Sequence, residues 1–167
     1  MKKIIFTMLA ISLIVLCFSG NLNAQASENE LDQVELMKQL IGKWESDRGK
    51  VDSTIVWEII PWNKGYETSF KLKAKGEVYY SYKGIWGFNR ENTKMDIYYL
   101  SQNGHFHNYS CEFVSDKNMI IKAKDDHSFR DLHFITPDKF KWILKRKSSE
   151  DSWDNAVVTE EIYTRVK

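Results

Sequence analysis

The amino-acid sequence predicts an all-β fold, an antiparallel up-and-down β-barrel of about eight to ten strands with a short N-terminal helix capping one end. The first observation is that alternating apolar and polar residues recur from Trp44 to the C-terminus, interrupted by turn residues. The second is that no helical pattern separates these strands, as parallel crossovers would require. The third is an aromatic content of 14%, which is typical of strands and pocket linings.

Residues 1–26 have the pattern of an export leader and are excluded from the predicted fold. Lys2 and Lys3 precede an apolar run from Ile4 to Phe18, and Ala24-Gln25-Ala26 offers the small residues that a signal peptidase recognises. The run is short for a membrane span, although an uncleaved anchor is the alternative. We therefore expect a periplasmic or secreted product, with residues 27–167 forming a single barrel domain and no membrane contact after cleavage.

The net charge and the cysteine content limit which binding partners and which covalent bonds we expect. A formal net charge of +1 gives no reason to expect nucleic acid or an anionic membrane as a partner. Cys17 would leave with the leader, and a lipoprotein is disfavoured because Leu16 precedes it where processing usually requires a small residue. Cys111 then has no partner for an intramolecular disulfide, and we predict that it is a small buried residue rather than a nucleophile.

The first predicted element of the mature chain is an amphipathic helix over residues 27–41. Ser27 or Asn29 could cap it, and Gly42 can end it in a left-handed conformation. Its apolar stripe is expected to cover an open end of the barrel. The residues that form this stripe at helical spacing are Leu31, Val34, Met37, Leu40 and Ile41.

The strands follow in order. Asp52–Ile60 is a predicted strand, and Pro61–Gly65 is the predicted turn after it. Tyr66–Ala74 alternates aromatic or apolar residues with lysines, so one face is buried and the other is solvated. Glu77–Asn89 is predicted to place Val78 on the same face as its later aromatic residues. The sequence continues through further strand patterns to a last strand over Val157–Val166.

Several of these features resemble a known family. A helix that runs into Gly42-Lys43-Trp44, a strand meander, Phe140-Lys141-Trp142, Trp153 and a final Tyr163-Thr164-Arg165 are similar to the lipocalin-like (calycin) barrels, in particular to small exported bacterial lipocalin-like domains. The resemblance covers roughly residues 31–167. It implies that Trp44 and Arg165 pack together at the closed end of the barrel. It implies no ligand specificity, because the chain lacks a disulfide pair and a second lipocalin signature.

The aromatic residues on the predicted inward faces are the main functional signal. Barrels of about eight strands are either packed solid or hold one small ligand. Tyrosine hydroxyls favour a cavity, because buried hydroxyls need partners. The sequence therefore predicts a binding protein for a small apolar or aromatic molecule, with no cofactor. The expected wall consists of Phe70, Tyr80, Tyr82, Trp86, Tyr99, His107, Tyr109 and Trp142, with His107 near the mouth.

Two alternatives stay open. His105 and His107 are two residues apart on a predicted strand, so both could chelate zinc or copper, or one could hold a haem iron, in an enzyme or a metal-binding barrel. Candidate third ligands are His127, Asp131 and His133. The other alternative is a solid barrel that recognises another exported protein through its outer face. The sequence brings together no nucleophile, base and orienting group, which favours binding over catalysis, and it leaves the oligomeric state open.

We predict cleavage of the exported protein close to Ala26, because the small residues there follow a basic start and a short apolar run. N-terminal sequencing of the mature protein should begin near Ser27. Recovery of the exported soluble protein with Met1 intact would contradict this prediction.

Overall fold

A computed structural model describes residues 31–47, 52–125, 127–148 and 152–167. The predicted leader, residues 1–26, and the first residues of the predicted helix, 27–30, lie outside the described residues. Within the described ranges, no helix has the length and apolarity needed to cross a membrane.

The described chain forms one closed antiparallel β-barrel of ten strands, which confirms the predicted fold class. Each strand pairs with its neighbours in sequence, and the last strand pairs with the first. The strands are β1 (Gly42–Asp47), β2 (Ser53–Trp62), β3 (Gly65–Ala74), β4 (Glu77–Asn89), β5 (Lys94–Ser101), β6 (Phe106–Phe113), β7 (Asn118–Ala123), β8 (Ser128–Thr136), β9 (Lys139–Arg146) and β10 (Val157–Val166).

A short helix lies against one end of this barrel, which we call the closed end. Helix α1 spans Gln33–Met37 and continues as a 3₁₀ turn over Lys38–Leu40. Asp32 caps the helix by accepting a hydrogen bond from the Glu35 amide at 2.9 Å. The Gln33 side chain exchanges hydrogen bonds of 2.9 and 2.6 Å with the Phe113 backbone, which fixes the helix on the barrel. The helix therefore begins later than the predicted residue 27, and the predicted caps, Ser27 and Asn29, lie outside the described residues.

Trp44 and Arg165 are in contact at the closed end, as the family resemblance implied. The Trp44 ring is fully buried, and the guanidinium carbon of Arg165 lies 4.1 Å from its centroid. The indole Nε1 donates to the Leu40 carbonyl at 2.9 Å. Gly42 has φ +125°, and a Cβ there would lie 2.8 Å from Nη1 of Arg165, so a side chain at this position would be strained and would push against the guanidinium.

Two local predictions were wrong. The predicted turn over residues 61–65 is shorter in the structure, because Pro61 pairs with Tyr66 inside the β2–β3 ladder. Val78 was predicted to face inward, yet its side chain is exposed. A bulge in β4 is the reason: Leu72 pairs with Tyr80 while Lys73 pairs with Val78, so one extra residue reverses the facing before Tyr80.

We predict that Trp44→Ala lowers the free energy of unfolding by about 3–5 kcal/mol, because it removes a fully buried aromatic group. Arg165→Ala should also destabilise the barrel. Denaturant melts of both variants and of the double variant should give a coupling energy of about 1 kcal/mol or more from the cation–π contact. Strict additivity of the two effects would contradict a direct interaction between these side chains.

Candidate ligand cavity

The half of the barrel away from α1 contains a cavity of about 340 Å³, at the small end of the range for ligand pockets. It opens at what we call the mouth, the end where β1–β2, β3–β4, β5–β6, β7–β8 and β9–β10 are connected. Seven of the eight predicted wall residues line it: Phe70, Tyr80, Tyr82, Tyr99, His107, Tyr109 and Trp142. Whether they bind a ligand stays a prediction.

An aromatic series runs around one side of this wall, with one ring from each of four successive strands. Phe70 and Tyr82 are stacked with centroids 4.6 Å apart. Tyr82 and Tyr99 follow at 4.5 Å, and Tyr99 and Tyr109 at 5.5 Å. Phe70 pairs directly with Tyr82 across the β3–β4 ladder. The wall is therefore built by cross-strand packing of neighbouring rings.

Gly84 makes room for one of these rings. It pairs with Tyr99 across β4 and β5, and a Cβ on Gly84 would lie 2.4 Å from a carbon of the Tyr99 ring and 2.3 Å from the Tyr98 carbonyl oxygen. Neither contact is tolerable, so the Tyr99 ring lies where it does because β4 has no side chain at this point.

The floor of the cavity is an aromatic cluster that also begins the solid half of the barrel. Trp142 and Tyr163 line the cavity, and both contact Trp57, at centroid distances of 5.4 and 6.2 Å. The Trp57 indole donates to the Thr68 hydroxyl at 2.8 Å. Trp86, the eighth predicted wall residue, is buried behind Trp57 and does not line the cavity.

Arg130 is a cavity residue that the sequence reasoning missed. Its guanidinium carbon lies 4.2 Å from the centroid of the Tyr109 ring. It also donates to the Tyr109 hydroxyl at 3.1 Å and to the Ser128 hydroxyl at 3.3 Å. β7, the strand between them, contributes only the methyl group of Ala123 opposite Tyr109. The sequence does contain a signal for Arg130. It lies two residues before Leu132 in the same strand, so its side chain is on the same, inward face.

Arg146, Thr159 and Glu161 are further polar residues of the wall that were not predicted. Arg146 is exposed and ends β9 at the mouth, in phase with Trp142. Glu161 is half-buried and accepts a hydrogen bond from the Tyr163 hydroxyl at 3.0 Å. The cavity thus combines an apolar floor and aromatic side with a small group of charged residues.

Two tyrosine hydroxyls of the wall, those of Tyr82 and Tyr99, stay protonated at neutral pH. Burial raises the pKa of Tyr82 and of Tyr99, and the positive charge of Arg130 opposes part of that increase. The Tyr99 hydroxyl is hydrogen-bonded to the Tyr82 oxygen, so the Tyr82 hydroxyl is the donor that this pair offers to a ligand. Burial also raises the pKa of the Cys111 thiol, which is buried in the core.

The histidines are placed differently from one another. His107 begins the inward face of β6, whereas His105 lies in the turn before the strand rather than on it. His127 and His107 both line a second recess of about 600 Å³ beside the mouth. Asp131 and His133 alternate with Arg130 and so lie on the outer face of β8. Among the described residues, no three His, Cys, Asp or Glu side chains are grouped as metal ligands would be.

Comparison with protein families and curated proteins does not assign the chain to a family. No protein-family model matches the chain, and no curated protein matches it. The structure itself defines the class, a closed ten-stranded antiparallel barrel with a short N-terminal helix, and this architecture is consistent with a lipocalin-like fold.

We predict that zinc or copper leaves the melting temperature unchanged, because no three potential ligands are grouped among the described residues, although His107 and His127 line one recess. A metal present at 100 times its Kd and bound only to the folded barrel would add about 2.7 kcal/mol of stability. Thermal melts with and without each ion would show this. A clear rise that disappears in His107→Ala would contradict the prediction and support the metal-binding alternative.

Proposed function

We propose that this protein is a lipocalin-like binding protein that holds a small molecule with an apolar or aromatic body inside its barrel. The observation that carries the proposal is the cavity itself. Its floor is the Trp57, Trp142 and Tyr163 cluster, and its wall is lined by aromatic side chains with a few polar groups, which is the composition typical of a small-molecule pocket.

The division of the barrel interior into a solid half and a cavity also supports the proposal. One half of the barrel interior is packed solid around Trp44, Phe134 and Phe140, which supplies stability without the other half. The mouth half therefore does not need to be filled for the barrel to fold. Aromatic walls such as Phe70 and Tyr82 present flat apolar surfaces to a ligand, and the tyrosine hydroxyls orient it.

The wall contains no constellation that would identify a reaction. Glu161 is the one carboxylate among the described residues that line the cavity, and burial shifts the pKa values of Tyr82 and Tyr99 further from the range useful for proton transfer at neutral pH. Binding accounts for the aromatic wall with fewer assumptions than catalysis does.

We predict that the neutral fluorescent probe N-phenyl-1-naphthylamine binds the mature protein, and that binding changes tryptophan emission because Trp142 lines the cavity. Leu144→Trp should weaken binding by about tenfold, or about 1.4 kcal/mol, because Leu144 also lines the cavity and the larger ring would occupy it.

The matched control is Ile143→Trp, which adds the same ring one residue earlier in β9, on the outer face. It should bind the probe as the wild type does, and thermal melts of both variants establish that they are folded. No fluorescence increase with wild-type protein, or equal weakening by both substitutions, would contradict a ligand cavity.

A further inference from the structure

We propose, building on the function proposed above, that the ligand is a monoanion: an apolar or aromatic body that carries one carboxylate, held by Arg130 and Arg146. The cavity wall is aromatic on one side and over the floor, while the two arginines lie on the neighbouring strands β8 and β9 toward the mouth. An amphipathic anion fits this division, with its body on the floor and its head group at the arginines.

Arg130 is held in position for such a contact. Stacking on Tyr109 fixes the plane of the guanidinium, and the hydrogen bonds to the Tyr109 and Ser128 hydroxyls fix its rotation. An arginine has more N–H donors than these two bonds use, and the planar fork of donors matches a carboxylate. Arg130 is therefore a preorganised donor group in the wall of a cavity rather than an extended surface side chain.

The charge of the wall also favours an anion. The residues that line the cavity include two arginines and one glutamate, so their formal charges sum to +1 with His107 neutral. Within the described residues, neither arginine forms an ion pair with a carboxylate, although ion pairs form elsewhere on the barrel. Arg130 is partly buried, so its charge would be stabilised by an opposite charge, and a bound anion would supply one.

Glu161 distinguishes between kinds of anion. Its carboxylate lies in the same wall and already accepts a hydrogen bond from Tyr163. A phosphate dianion would place two negative charges near it, whereas a carboxylate places only one. The protonated hydroxyl of Tyr82 adds a neutral donor that suits either head group. The wall is thus best matched to a monoanion.

Three aromatic compounds with nearly the same body test this assignment by isothermal titration calorimetry. They are naphthalene-1-acetate, the uncharged naphthalene-1-acetamide and 1-naphthyl phosphate. We expect the acetate to bind about tenfold or more tightly than the acetamide, because charge-assisted hydrogen bonds to arginine are the stronger ones. We also expect the acetate to bind more tightly than the phosphate, and raised salt to reduce the preference for the acetate over the acetamide.

Arg130→Gln and Arg146→Gln should each reduce the ratio of acetate to acetamide affinity, with the larger loss at Arg130. The matched control is Lys145→Gln, which removes one positive charge from the outer face next to Arg146 and should leave the ratio unchanged. Thermal melts show whether each variant is folded. If Arg130→Gln does not fold, the ratio of acetate to acetamide affinity in the wild-type protein still tests the assignment.

The outcomes separate the two proposals. Binding of the acetamide as tightly as the acetate would overturn the anion assignment and leave the ligand cavity standing. A preference that survives in both arginine variants, or an equal loss in Lys145→Gln, would overturn it as well. Tighter binding of the naphthyl phosphate would overturn the carboxylate assignment. Failure of all three compounds and of N-phenyl-1-naphthylamine to bind would contradict the proposed function itself.

Discussion

Arg165 helps to join the last strand of the barrel to the first, and the rest of the structure depends on that closure. The pairing of β1 with β10 covers only Lys43–Glu45 and Thr164–Val166, the shortest ladder among the described strands. Arg165 reinforces it through side-chain contacts: its guanidinium donates to the carbonyls of Gln39, Ile41 and Pro137 and to the Asp138 carboxylate while covering the Trp44 ring. One planar group thus ties the segment before β1, the β8–β9 turn and the last strand together.

The division of the interior follows from this closure. Trp44 packs on Phe140 and Phe134, and Phe140 stacks on Tyr163, so aromatic contacts extend from the Arg165 site to the floor of the cavity. Packing in the solid half holds the strands in register. The same strands continue into the mouth half, so their register there is fixed as well. Phe70, Tyr82, Tyr99 and Tyr109 are positioned by it without having to fill the space that they enclose.

Much of this architecture could be predicted from the sequence, because the alternation of apolar and polar residues along a strand indicates which face of the sheet each side chain occupies. Strand facing placed Tyr82, Tyr99, Tyr109 and Trp142 inside, and turn residues gave the number of strands. Facing does not give depth along the barrel axis, which depends on register and strand tilt. The tyrosine hydroxyls favoured a cavity, but nothing in the sequence indicated its position along the barrel axis; the described structure shows a solid half below a cavity.

The same limit explains what was missed. Arg130 and Arg146 share the parity of the inward residues, yet charged side chains at the ends of strands usually face solvent, so composition argued against them. His105 was predicted to lie on a strand that begins only at Phe106, because propensity locates strand ends poorly. The bulge that exposes Val78 was missed because Val78, Tyr79 and Tyr80 are all apolar or aromatic, so the shift in facing at the added residue is hidden in the pattern.

The meander has a consequence for how such a protein can diversify. Every connection at the mouth joins two strands that are already paired side by side, while α1 and the Arg165 closure lie at the opposite end. A change in the length or composition of one mouth connection is therefore local, and it leaves the closing ladder untouched. Under the proposed function, selection for a different ligand would act at the mouth, while selection for a stable closure would act at the opposite end of the barrel.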